Sequence, residues 1–129
     1  MGFVTRRISA SPDATAPDGS EVRILAATGR GSMAQFRLPP GAVSRAVAHR
    51  TVEEVWLFIG GRGRLWRRLG GWQETIEISQ GVSIAIPVGA SFQFRCDGEE
   101  PLTAVGVTMP PWPGGDEAYA VEGIWPAMA

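Results

Sequence analysis

The chain contains no lysine. All twelve of its basic residues are arginine, and against thirteen acidic residues they leave a formal net charge of −1. That balance gives no general electrostatic grip on nucleic acid or on an anionic membrane, so neither is expected as a partner. One cysteine, Cys96, excludes an intrachain disulfide. One histidine, His49, leaves any imidazole-based chemistry with a single ring. No run approaches the roughly 20 apolar residues of a membrane-spanning helix. The opening segment MGFVTRRISASPDATAPDGS has no apolar core of signal-peptide length. A soluble cytoplasmic protein is the resulting expectation.

Turn formers are abundant, with 17 glycines and 10 prolines among 129 residues. They punctuate the chain into short apolar runs: EVRILAAT, SMAQFRL, AVSRAVAHR, EEVWLFI, RLWRRL, WQETIEI, VSIAI, SFQFRC and LTAVGVTM. About nine strands recurring every 8 to 12 residues predict an all-β sandwich or barrel. No segment keeps a 3.6-residue apolar period over three turns. The length suits one domain. Residues 1–20, rich in Ser, Pro and Asp, read as a mobile or extended lead-in, residues 21–109 as the barrel, and residues 110–129 as a tail.

The strand EEVWLFI is apolar on both faces beyond Glu54. Trp56 and Phe58 share the face of Glu54, and Val55, Leu57 and Ile59 share the other. A strand of this kind is covered on both sides. The barrel interior covers one face, and a second copy of the chain is the simplest cover for the other, so a homodimer is expected. The tail carries Trp112, Tyr119, Trp125 and Met128, too apolar a set for an unstructured end. It is read as packing along the barrel wall or a partner, with a lid over the barrel mouth as the alternative.

The spacing of certain residues resembles the two motifs of the cupin family. The first motif runs glycine, five residues, His-x-His, three or four residues, glutamate, six residues, glycine. Gly41 opens it here, Val47 stands at the first histidine position and His49 at the second, and Glu53 with Gly60 or Glu54 with Gly61 completes it. In the second motif Gly81, Pro87 and Gly89 match, Phe92 stands where the family has histidine, and Cys96 where it has asparagine. The resemblance implies a double-stranded β-helix, a jelly-roll barrel of two antiparallel sheets around a ligand cavity. It also implies a metal held by three histidines and a glutamate. Here that set reads Val47, His49, Glu53 or Glu54, and Phe92, so no tightly bound metal or other cofactor is expected. His49 and Glu54 would be the ligands of any divalent transition metal that does bind.

Strand parity places Val47, Phe92 and Phe94 inward and, if Glu54 is the inward glutamate, Trp56 and Phe58 as well. Together with His49, Glu54 and Arg45 they compose an apolar, aromatic pocket holding a few polar groups, the makeup of a small-molecule site. Arg45 is the candidate partner for a ligand carboxylate or phosphate. Filling of a small barrel by side chains accounts for the same rings. Three functions fit: a binding barrel for a small molecule, a metal-free isomerase, epimerase or cyclase with His49 as base oriented by Glu54, and a metalloenzyme of dioxygenase or isomerase type with a reduced ligand set. In the enzyme readings Tyr119 is a distant candidate acid. Mutual satisfaction of His49 and Glu54 in a half-buried cavity is the plainer explanation of that pair. Cys96 has no base beside it in sequence and reads as structural. The segment RGRLWRR reads as a solvated strand face paired with Glu74 and Glu77 rather than as a nucleic-acid surface.

Overall fold

The fold follows from alternation broken by turns. A computed structural model describes residues 2–128, in which eleven strands succeed one another: β1 (Ala14–Thr15), β2 (Glu21–Ala27), β3 (Ser32–Leu38), β4 (Val47–His49), β5 (Glu53–Gly60), β6 (Arg62–Leu69), β7 (Trp72–Ser79), β8 (Ser83–Ile86), β9 (Ser91–Cys96), β10 (Leu102–Met109) and β11 (Ala118–Ala120). One sheet has the order β1-β2-β3-β10-β5-β8 and the other β11-β4-β9-β6-β7, with every pairing antiparallel. No helix among the described residues is long and apolar enough to cross a membrane.

On β5 the residues alternate strictly between exposed and buried, with Glu54, Trp56 and Phe58 inside and Glu53, Val55, Leu57 and Ile59 outside. The inward faces of the two sheets meet in one core, where Trp56 and Phe58 from β5 join Phe92 and Phe94 from β9 and Leu65 from β6. Each such fully buried side chain contributes about 1.5–3 kcal/mol over leaving it in water. Trp56 packs against three neighbouring rings edge-on, with centroids 6.1 Å from Phe58, 5.7 Å from Phe92 and 5.2 Å from Phe94, a favoured geometry for aromatic pairs.

Glycine settles the register at two places. Gly61 adopts φ +76°, and a Cβ there would run into the Pro101–Leu102 backbone, whereas Gly60 has ordinary extended φ. The motif glycine is therefore Gly61, separated from Glu54 by six residues, which agrees with Glu54 being the buried one. On β10, Gly106 lies between the stacked rings of Phe36 and Trp56, whose centroids are 5.0 Å apart at 28°. A Cβ on Gly106 would stand 2.6 Å from Trp56 Cδ1 and 2.9 Å from Phe36 Cε2.

Parts of both flanking segments are bonded to the barrel. The lead-in forms β1 against β2, and Arg23 holds it further by donating to the carbonyls of Ser9 and Ala10. Asp13 and Arg23 supply hydrogen bonds to this extended lead-in that no hydrophobic pattern reveals. In the tail, β11 extends the five-stranded sheet beside β4. Beyond it, the backbone of Ile124 and Trp125 is held by the buried Gln93 amide on β9. The Trp125 ring then lies beneath the Arg64 and Arg95 guanidinium groups, both of which bond Asp97. Arginines of RGRLWRR are thus engaged within the chain: Arg64 with Asp97, and Arg67 with Glu74 at 2.7 Å. Cys96 is a buried free thiol near the Glu100 carbonyl at 3.1 Å, a structural placement.

Candidate functional site

A cavity of about 300 Å³ opens between the two sheets. Its aromatic walls are Phe36, Trp56, Phe92 and Trp112, and its polar groups include Asp18, Ser32, His49, Glu54 and Thr108. Alternation on β5 brings Glu54 and Trp56 inward, while β4 supplies Val47 and His49 and β9 supplies Phe92. Val47 and Phe92 are direct register partners across β4 and β9.

Of the pocket residues expected from sequence, Val47, His49, Glu54, Trp56 and Phe92 line the cavity. Phe58 and Phe94 are buried in the core and do not line it. Arg45 does not line it either and is exposed. Arg45 lies outside the strand, since β4 begins only at Val47. Before that the chain is irregular, with the Arg45 N–H donating to the Asp18 carbonyl. Tyr119 does not line the cavity and stacks instead under the Arg50 guanidinium.

Three of the lining groups that escaped sequence reading matter most here. Asp18 sits in the Pro- and Ser-rich lead-in, yet it is buried, with its Oδ1 accepting from the N–H and hydroxyl of Ser20. Trp112 belongs to the tail. Its backbone N–H donates to Ser32 Oγ at 2.9 Å, and Ser32 is itself bonded to Thr108. That chain of bonds sets the indole edge-on to His49 with centroids 5.1 Å apart. Within the tail, Trp112 lines the cavity, and Ile124 and Trp125 are bonded to Gln93 of β9. Phe36 is the third, placed over Trp56 by the absence of a side chain at Gly106. The only available sequence signal was the glycine within the apolar strand LTAVGVTM, a mark of close approach.

His49 and Glu54 are neighbours without being bonded. Nδ1 of His49 lies 3.7 Å from Glu54 Oε1, beyond hydrogen-bond range, and Nδ1 is buried with no partner. Glu54 Oε2 instead accepts the indole N–H of Trp56. Burial lifts the Glu54 carboxyl to about 8, opposed by that bond and reinforced by the negative charge of Asp18. Burial likewise raises Asp18 above the usual carboxylate range, although its bonds to Ser20 and the Arg45 charge oppose this. His49 is pushed below the ordinary imidazole range by burial, against the charge of Glu117. Near pH 7, therefore, Glu54 is mostly protonated and His49 neutral. A carboxylate making His49 more basic is not what this geometry provides.

Glu117 acts from the tail on the turn between β4 and β5. Its Oε1 accepts from the Thr51 N–H and hydroxyl and from the Val52 N–H. Burial pushes its carboxyl up, but these bonds and the nearby His49 outweigh it and hold the group below the usual range.

A transition metal needs three or four nitrogen, oxygen or sulfur donors converging on one point. Among the described residues no three His, Cys, Asp or Glu side chains form such a group. At the two remaining motif positions stand an isopropyl group and a phenyl ring. The donor set does not fit the family's metal.

Solved structures share this architecture. CapF, a capsular polysaccharide assembling protein from Staphylococcus aureus, superposes with a TM-score of 0.68 at 21% identity over 84% of this chain and 34% of its own. Oxalate decarboxylase from Bacillus subtilis gives 0.71 at 18% identity over 86% of this chain and 29% of its own. A protein from Bacillus halodurans gives 0.65 at 19% identity, covering 77% of this chain and 76% of its own. The chain spans about a third of the length of CapF and of the decarboxylase. These likenesses are of fold. No curated protein sequence matches the chain. The family model described as "Cupin domain" matches residues 34–108, from β3 to the end of β10 and through both motifs, and with that the chain belongs to the cupin family.

Proposed function

We propose that the protein is a small-molecule-binding cupin that has lost two of its family's four metal ligands, at Val47 and Phe92. The observation that carries this reading is the cavity itself: about 300 Å³, walled by four aromatic rings and set with a few polar groups. That is the composition of a small-molecule site rather than of a filled barrel. Manganese centres belong to oxalate decarboxylase, and an isopropenyl-tropolone inhibitor was bound to CapF. Here the residues that would carry a metal centre are mostly replaced. Elemental analysis of the purified protein, together with mass spectrometry of small molecules released on denaturation, tests the proposal. Well under one equivalent of metal and a stoichiometric organic ligand are expected. A full equivalent of transition metal overturns it.

The working unit is proposed to be a homodimer in the cytoplasm. On the outer face of β5, Val55, Leu57 and Ile59 are 47%, 46% and 42% exposed. They flank Val105 and Val107 of β10 in register, so the apolar surface continues across strands. A second copy of the chain covers it.

A second reading, a metal-free isomerase, epimerase or cyclase, is favoured by one observation. A neutral imidazole and a protonated carboxyl stand 3.7 Å apart in the same cavity. One can take a proton while the other gives one, which is acid–base chemistry at neutral pH. In this reading Glu54 is the acid rather than a group orienting His49. His49→Gln then abolishes turnover of the substrate without loss of melting temperature. Full activity in that variant removes the reading.

A further inference from the structure

Resting on the binding-barrel reading, we propose that the cavity selects a small organic ammonium ion, an amine with a hydrocarbon body, over neutral and anionic molecules of the same shape.

The argument starts from charge. Among the described residues that line the cavity, none is an arginine, and the chain has no lysine. The ionisable groups that do line it are two carboxyls, Asp18 and Glu54, and one imidazole, His49. They arrive from separate parts of the fold: the lead-in before β2, the start of β5 and the end of β4. The Arg45 guanidinium is exposed and does not line the cavity, although its charge reaches Asp18. An anionic ligand entering this cavity would be buried beside two acids with no cation to pair it, which buried charges do not tolerate. A cationic ligand meets the opposite situation: burial favours the protonated form of both carboxyls, and an ammonium ion between them supplies a counter-charge inside the cavity as they ionise.

The walls are suited to the same class. Phe36, Trp56, Phe92 and Trp112 all border the cavity, and aromatic rings attract an alkylammonium group while packing against its hydrocarbon part. The polar groups also leave a place for an N–H donor. His49 is 5% exposed, and its Nδ1 has no hydrogen-bond partner, although it lies at the cavity wall 3.7 Å from Glu54 Oε1. Glu54 Oε2 is already occupied by Trp56, so Oε1 is the oxygen left for a ligand. A donor placed between Nδ1 and Oε1 reaches both, and an ammonium group carries several such donors. Nothing in the cavity calls for a larger or doubly charged molecule.

Three probes of nearly one shape and different charge test this: benzylamine, benzyl alcohol and benzoate, titrated into the intact protein by calorimetry at about pH 8.5, above the Glu54 carboxyl at about 8 and with benzylamine still mostly protonated. Benzylamine is expected to bind at least about tenfold tighter than benzyl alcohol, with benzoate weakest, each tenfold step being about 1.4 kcal/mol. Asp18→Asn and Glu54→Gln should each weaken benzylamine by about tenfold while leaving benzyl alcohol nearly unchanged, since only the charge is removed. The comparison of probes on the native protein stands even if a variant fails to fold. Benzyl alcohol or benzoate binding as tightly as benzylamine overturns the ammonium inference and leaves the binding barrel intact. No binding by any of the three at millimolar concentration overturns both.

Discussion

Trp56 donates its indole N–H to the carboxyl of Glu54, two residues earlier on the same face of β5. The bond uses Oε2 and leaves Oε1 beside His49. Trp56 is therefore both a wall of the cavity and the group that fixes its acid. Without the indole, Glu54 would be a buried carboxyl with no donor.

The first prediction concerns pH. The folded-state pKa of Glu54, about 8, lies above its ordinary value of 4.5. Between those values the folded chain holds a proton that the unfolded chain releases, so stability falls as pH rises. Asp18, raised as well, acts in the same direction. His49, with its pKa lowered, acts oppositely and only below its ordinary value of 6.5, where stability is lost as pH falls. The window free of His49 is thus from about pH 6.5 to 8.5, and the full Glu54 effect is on the order of a few kcal/mol. Thermal melts across that window should decline for the native protein and flatten for Glu54→Gln. A native profile that rises with pH would contradict the assignment.

Gly106→Ala is the second. The new methyl group would meet Trp56 Cδ1 and Phe36 Cε2 well inside contact distance. Neither ring can swing freely, because Trp56 also packs on Phe58, Phe92 and Phe94. Overpacking of this kind costs about 1–3 kcal/mol. Denaturant unfolding should report that loss, with a change in tryptophan fluorescence as Phe36 and Trp56 separate. An unchanged midpoint would show that the stack yields without cost.

The barrel was legible from the sequence because its strands carry regular punctuation and its glycines and Pro87 fall at fixed intervals. The inward set of β5 was legible once Glu54 was taken as the inward glutamate. The ends were not legible. Asp18 lies in a segment whose composition says only that it is polar, and its burial depends on Ser20 and on the pairing of β1 with β2. Trp112 follows two prolines, and its place over His49 is set by Ser32, 80 residues away. Arg45 was misplaced by extending strand parity two residues beyond where β4 begins. Contacts between distant segments and breaks in alternation are what a single sequence hides.

The third prediction concerns the outer face of β5. Leu57→Arg places a charge in the middle of the Val55–Leu57–Ile59 surface without touching the interior, since Leu57 is on the exposed side. Light scattering behind a sizing column at micromolar concentration should give a dimer mass for the native chain and a monomer mass for the variant. Melting of the separated monomer by intrinsic fluorescence should show the barrel still folded. A native monomer would mean that this face needs no second copy.

The last prediction tests the missing ligands. Val47 and Phe92 face each other across β4 and β9, and the Phe92 ring lies 5.4 Å from that of His49. If they occupy two metal-ligand positions, Val47→His with Phe92→His should complete a set of three imidazoles and one carboxyl with His49 and Glu54. Such a set suits zinc or nickel. Loading the metal must also remove the proton from Glu54, so the gain in affinity should grow as pH rises toward 8. The new rings have no partners arranged to orient them, which will keep the site below the strength of a natural one. Titration with nickel and zinc should still show a clear increase over the parent, reversed by adding Glu54→Gln. A folded double variant that binds no better than the parent would mean that the two side chains do not stand at ligand positions. Retention of the increase without Glu54 would place the site elsewhere.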